Sequence, residues 1–343
     1  MPSPKSILAA ISFAPWVSAS AIPRADRFHW SSKKALLAFG DSYTYVQGTH
    51  GLQNYSFIGD AFDFSYDQET LLSNKIVQNQ TGTAEGGPNW VEYLTVSDRV
   101  NRQELPEEIT SPRCPIRMFL IVLCLTSTYL LHSTPLHHNY TVPFVDQIKQ
   151  YATYGHSTLS KFLTTSETLV AVWIGINDVG DSAKYAVDFP TFYANLTNTL
   201  FNSVDTLYDL GYRSYLIMNL PPMDRDPDNV GSSYSTPNVT QVAWYNAALT
   251  ERAGKFGEEK KDVEIQVFDA HARLSWILDH PSEFGIVNTT DYCAGYDQPD
   301  IAWNYKAYGC PTPLDEYFWY NTGHMTSHTH RLLASELEKW LQS

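Results

Sequence analysis

LLAFGDSYTY, residues 36–45, is an apolar run that ends in Gly-Asp-Ser rather than in an ordinary turn. Its apolar part, ALLAF at 35–39, is one of four continuous runs of strand length, with TLVAVWI at 168–174, SYLIMNL at 214–220 and EIQVF at 264–268. Runs without polar alternation suit strands covered on both faces, as in a parallel sheet. Around them, apolar spacing predicts helices over 142–163, 189–210, 239–258, 270–278 and 325–342. Pro190 suits the first turn of one of these, and Gly211 its end. Alternating strand and helix predicts an α/β protein: a three-layer α/β/α sandwich around a mostly parallel central sheet. No repeat, heptad or low-complexity tract appears, so one domain over 22–343 is expected.

In such sheets ligands bind beyond the carboxyl ends of the strands. Gly40, Asp41 and Ser42 follow the first run, and Gly175, Ile176, Asn177 and Asp178 follow the second. Ser42 has two readings, a nucleophile awaiting a base or a helix N-cap. Asn177 is either a donor to a developing oxyanion or a turn asparagine bonded to its own backbone. A base for acyl transfer near neutral pH is a histidine. Of the eleven, His324 stands just before the last helix, while His328 and His330 fall on it as packing or surface residues. A second Gly-Asp-Ser, Gly180–Ser182, follows no strand and reads as a cap or turn.

The chain has 343 residues, 43% hydrophobic and 14% aromatic, with a formal charge of −14. That charge argues against nucleic acid, whose phosphates need cationic partners, and against anionic membrane surfaces. Residues 1–21 hold a lysine, a short apolar region and a small-residue Ala19-Ser20-Ala21 site, the layout of a cleaved secretory signal. Six Asn-X-Ser/Thr sequons, at Asn54, Asn79, Asn139, Asn195, Asn238 and Asn288, predict a glycosylated extracellular protein. Of four cysteines, Cys293 and Cys310 bracket a polar, aromatic loop and are the expected pair; closing such a loop is worth about 3 kcal/mol. Cys114 and Cys124 have no evident partner. Met118–Leu131 is apolar but too short and too rich in Ser and Thr to span a membrane. His137-His138 makes a poor ligand pair, since neighbours on a strand point to opposite faces. No metal, no cofactor and a monomer are expected.

Taken together, FGDSYTYVQGTHG (39–51), GTAEGGPNWVEYLT (82–95), TPLHHNYTVPFVDQIKQY (134–151), VAVWIGINDVG (170–180), NLPPMDRDP (219–227) and DEYFWYNTGH (315–324) resemble the GDSL, or SGNH, hydrolase superfamily. The nearest likeness is to the fungal secreted acetylesterases of carbohydrate esterase family 16. The resemblance implies a flavodoxin-like sandwich with Ser42 as nucleophile, its backbone N–H and Asn177 as oxyanion donors, and His324 as base and then acid. Asp41, Gly175 and Asp178 would support the loops, and Gly86–Trp90 would help line the cleft. No Gly-X-Ser-X-Gly elbow occurs.

Two features depart from the family's pattern. Where many members carry an aspartate three residues before the histidine, this chain has Asn321, which can accept a hydrogen bond but carries no charge. Asp315 is an alternative orienting group if its loop folds back. The family's oxyanion glycine after the second strand is also missing, since no glycine occurs between Pro88 and Tyr154. Residues 117–133 are read either as a strand with a rebuilt loop or as a reading-frame or splicing error. The expectation is a secreted serine esterase that removes acetyl groups from hemicellulose-derived oligosaccharides or another small ester. The alternatives are a GDSL lipase or phospholipase, and a secreted glycan-binding relative without catalysis.

Overall fold

The computed structural model describes residues 29–45, 83–95, 120–124, 143–161, 163–230 and 236–343. The expected signal at 1–21, the sequons at Asn54, Asn79 and Asn139, Cys114, and most of 117–133 lie outside the described residues.

Five parallel strands form one sheet: β1 (Ala35–Gly40), β2 (Leu120–Cys124), β3 (Thr168–Trp173), β4 (Ser214–Met218) and β5 (Glu264–Phe268), in the order β2-β1-β3-β4-β5. All four apolar runs are strands, and β1, β3 and β4 are buried along their whole lengths. The fifth strand comes from the anomalous segment, whose residues 120–124 pair in register with β1 as an edge strand. Among the described residues the longer helices are α1 (Trp90–Thr95), α2 (Phe144–Gln150), α3 (Ile176–Ser182), α4 (Phe189–Asp209), α5 (Val239–Glu259), α6 (Ala270–Asp279) and α7 (Ser327–Gln342). α4, α5, α6 and α7 lie within a few residues of predicted ranges, whereas the short helices α1 and α3 were not predicted. The predicted helix 142–163 breaks after Gln150 into a wide turn, Tyr151–Gly155, and a short helical piece, His156–Leu159.

After β1 the chain adds β2 on one side and β3 on the other, so the strand order reverses between β1 and β3. Right-handed crossovers then place helices on both faces. α2, α4 and α5 pack in one row, and α1, α7 and α6 in another. α4 presents Tyr193, Leu196, Leu200, Val204 and Leu207 as a buried stripe at helical spacing. It starts where Asp188 accepts from the Thr191 N–H with proline in its first turn, and it ends before Gly211, at φ 100°.

The second Gly-Asp-Ser closes α3 instead of starting a helix. Ser182 Oγ donates back to Val179 O at 2.7 Å and contacts the Tyr193 hydroxyl at 2.8 Å. Cys293 and Cys310 form a disulfide that packs with Tyr317 beneath the loop it closes. Asn195 is exposed on α4. Asn238 is the N-cap of α5, its Oδ1 accepting from the N–H groups of Thr240 and Gln241. Among the described residues no helix is long and apolar enough to cross a membrane.

Thr326 joins the loop carrying His324 to α7. Its buried hydroxyl donates to Tyr317 O at 2.8 Å and accepts from Thr329 N at 3.2 Å. Thr326→Ala removes this N-cap and is expected to destabilise the fold by about 1–2 kcal/mol in denaturant unfolding. An unchanged midpoint would show that the cap is not needed.

Candidate active site

The strand ends are level. Gly40 pairs with Trp173, Trp173 with Met218, and Met218 with Phe268, so β1 and β3 deliver their following loops to the same edge. The register leaves no room at Gly40, where a Cβ would stand 2.5 Å from Trp173 O. Past Gly40 the backbone closes a tight turn, with Thr44 N donating to Asp41 O at 3.0 Å and Tyr43 N to Asp41 Oδ1 at 3.2 Å. Ser42 is left half-exposed at its tip.

His324 meets it from the other end of the chain, with Nε2 2.8 Å from Ser42 Oγ and Nδ1 3.0 Å from Asn321 Oδ1. Backbone donors settle the proton positions. Asn321 Oδ1 also accepts from Gly323 N at 3.0 Å and His324 N at 2.9 Å, which identifies that atom as the amide oxygen. An oxygen cannot donate, so His324 Nδ1 carries the ring proton and Nε2 presents a lone pair to the serine hydroxyl. That is the tautomer a general base needs. Asp315, the alternative orienting group, is exposed on the 314–316 turn; the acceptor at Nδ1 is Asn321.

On the β3 side Gly175 takes φ 113°, and a Cβ there would fall 2.2 Å from the Tyr245 hydroxyl, which donates to Ile174 O at 2.9 Å. Only glycine fits this corner. It leads into α3, whose first turn holds Asn177. The Asn177 Nδ2 group is buried and donates no hydrogen bond. An unused buried donor is costly, and at the rim of a catalytic edge it suits an acceptor that arrives with the substrate.

Asp41 and Asp178 lie buried below. Burial pushes the Asp41 carboxyl up to about 7; the Tyr43 N–H opposes this and the Asp178 charge adds to it. The Gly86–Trp90 stretch departs from expectation in part. Asn89 and Trp90 are fully buried and brace the serine turn, Asn89 Nδ2 donating to Tyr45 O at 2.9 Å and Trp90 Nε1 to Thr44 Oγ1 at 3.3 Å. Gly86 and Gly87 remain at the surface, packed on Tyr320 and Ser327. The loop that follows β2 lies outside the described residues.

Sequence reading missed Tyr43, whose ring packs beside His324 at 5.5 Å and whose hydroxyl donates to Gly323 O at 2.6 Å. An aromatic next to a candidate nucleophile carries no signal of such a long-range bond.

The family described as GDSL-like Lipase/Acylhydrolase matches residues 36–337. The chain belongs to that family. It is a carboxylic ester hydrolase of the GDSL type, with the α/β fold expected. An acetylesterase of Thermothelomyces thermophilus is 23% identical over 268 residues, covering 76% of this chain and 78% of that protein. An acetylesterase of Hypocrea jecorina is 22% identical over 338 residues, covering 88% and 87%. Among solved structures, a GDSL-like lipase from Parabacteroides merdae gives a TM-score of 0.43 at 10% identity, over 90% of this chain and 96% of that one.

Two predictions follow from the esterase's geometry. With His324 as the base, Asn321→Asp would place a charge against its imidazolium, and is expected to raise kcat/KM about tenfold, equivalent to roughly 1.4 kcal/mol. Asn321→Ala frees three donors and should lower it by about a hundredfold. Equal activity in Asn321→Ala and wild type would refute the positioning role. Asp41 titrates higher in the folded state than its ordinary 3.8, so its contribution to stability is fully present below that value and is lost as pH rises through about 7. Asp41→Asn removes that loss. Relative to wild type, its unfolding free energy should therefore gain about 1–4 kcal/mol between pH 5 and pH 8, read from denaturant curves across that range. A gap independent of pH would contradict this.

Proposed function

We propose that this esterase is secreted and removes acetyl groups from hemicellulose-derived oligosaccharides through an acyl-enzyme on Ser42. The observation that carries the reading is the 2.8 Å contact between His324 Nε2 and Ser42 Oγ, with the tautomer fixed by Asn321. Ser42 Oγ attacks the acetyl carbonyl as its proton passes to Nε2. Asn177 Nδ2 and the Ser42 backbone N–H hold the oxyanion. The tetrahedral centre collapses, the sugar oxygen leaves with the proton from Nε2, and acetyl remains on Ser42. Water then attacks with His324 as base, and acetate departs as Ser42 regains its proton. Asn321 holds the imidazolium by geometry and a dipole, without charge.

The acetyl preference is supported by the two relatives named acetylesterases. Secretion is supported by the signal layout at 1–21, by the Cys293–Cys310 disulfide, and by exposed sequons at Asn195 and Asn238. In Asn238 the capping role uses Oδ1, which leaves Nδ2 for a glycan. Residues 22–343 act in this reading as a single, monomeric catalytic domain.

The test is acetate release from acetylated xylo-oligosaccharides by the purified protein, with p-nitrophenyl acetate and palmitate compared alongside. Ser42→Ala should abolish release. Asn177→Ala should lower kcat about 10²–10³-fold without loss of stability, because its side-chain N–H makes no bond that folding depends on. Preference for palmitate would instead favour a lipase, and activity that survives Ser42→Ala would end the acyl-enzyme reading.

A further inference from the structure

Behind His324 lies a second histidine that the reaction above does not use. His330 on α7 and Glu85 in the loop before α1 are both fully buried. The Trp90 N–H donates to His330 Nδ1 at 3.3 Å, so the neutral ring keeps its proton on Nε2. Nε2 faces Glu85 Oε1 at 3.6 Å, beyond hydrogen-bond length, and neither atom has another hydrogen-bond partner. Burial disfavours the charged form of both groups. It pushes the Glu85 carboxyl well above its usual range, with repulsion from Glu92 and Asp41 adding to the effect. It pushes His330 down to about 3, helped by His324.

The Tyr43 ring packs near both imidazoles, 5.5 Å from His324 and 5.7 Å from His330, with its hydroxyl on Gly323 O. The loop carrying Glu85 is clasped to the start of α7, where Ser327 Oγ donates to Pro88 O at 2.7 Å and contacts the Tyr93 hydroxyl at 2.9 Å. Apolar side chains filling the same space would avoid the cost of buried polar atoms. Stability alone therefore does not account for the pair.

The geometry points to Glu85 and His330 as a positioning pair: a carboxyl–imidazole contact that backs Tyr43 and, through it, holds the Gly323–His324 segment against Ser42. This rests on Ser42 and His324 being the reacting pair. The titratable groups around the contact are Glu92 on α1, Asp41 and Tyr43 in the serine turn, Tyr320 against Gly86, and His324 itself.

The experiment measures kcat, KM, the pH–rate profile and thermal unfolding on p-nitrophenyl acetate. The variants are Glu85→Gln, Glu85→Leu, His330→Asn, the Leu/Asn double variant and Ser42→Ala. Glu85→Gln keeps an uncharged acceptor for Nε2–H and should retain kcat and the pH profile. Glu85→Leu and His330→Asn should each lower kcat about tenfold to a hundredfold at unchanged KM, and the double variant should be no worse than the worse single one. The proposal is overturned by folded single variants with wild-type kcat, by losses that multiply in the double variant, or by a folded Glu85→Gln as impaired as Glu85→Leu. If Glu85→Leu does not fold, Glu85→Gln and His330→Asn decide by the same criteria. Activity unaffected by Ser42→Ala would strike the reacting pair instead, a result distinct from any of these.

Discussion

Three N–H groups converge on one oxygen, Asn321 Oδ1, and the arrangement of the site depends on that convergence. Two are the backbone groups of Gly323 and His324, which fold the loop back on itself. The third is the His324 ring. Turning the amide over would set donors against donors, so the loop conformation and the imidazole tautomer are fixed together. Nε2 is left with a lone pair and with Ser42 Oγ before it. The sheet supplies the other half of the constraint: β1 and β3 end in register, and the bare Cα of Gly40 lets them stay close. In the proposed reaction the reacting groups come from residues 42, 177 and 324, and the placement of Ser42 and His324 follows from one amide and one strand pair.

Much of this was legible in the sequence because it rests on local chemistry. Continuous apolar runs announced four strands, and glycine followed by polar residues marked the two strand ends that form the site. A strand was one of the two readings of residues 117–133; apolar residues there spread past any strand boundary, so period alone could not bound it to 120–124. What escaped was long-range. Glu85, His330 and Tyr43 each read as ordinary: a loop acid, a helix histidine and a turn aromatic. Their roles arise only when the 83–89 loop is laid against α7. The Asn89-Trp90 dipeptide departs from what the family resemblance implied, a cleft lining, because both residues are buried. Trp90 cannot line a cleft when its ring packs at 6.0 Å against Trp173 in the core.

The interior beneath the site is rich in acids whose ionisation burial disfavours. Burial pushes Asp41 and Asp226 up to about 7 and Glu92 up to about 8, and holds Glu85 well above the carboxylate range. The Tyr43 hydroxyl is raised as well, first by burial and then by Asp226, Asp41 and Glu85. A chain with a formal charge of −14 has gathered several of its carboxyls where ionisation is most expensive. Their proton occupancy couples fold stability to pH over the range in which an imidazole base must work.

This setting bears on why an asparagine can stand where an aspartate would stabilise the imidazolium better. An anion at 321 would share its surroundings with Asp41, Asp226 and Glu85 around the Tyr43 ring. Each negative charge there makes the next harder to form. A neutral acceptor preserves the geometry at every pH at which those acids change state, because its hydrogen bonds do not depend on their protons. A carboxylate would strengthen the base and tie its orientation to the same titrations. The exchange of Asp for Asn therefore gives up some stabilisation of positive charge at His324, and keeps the three-donor turn intact while the acids below it ionise.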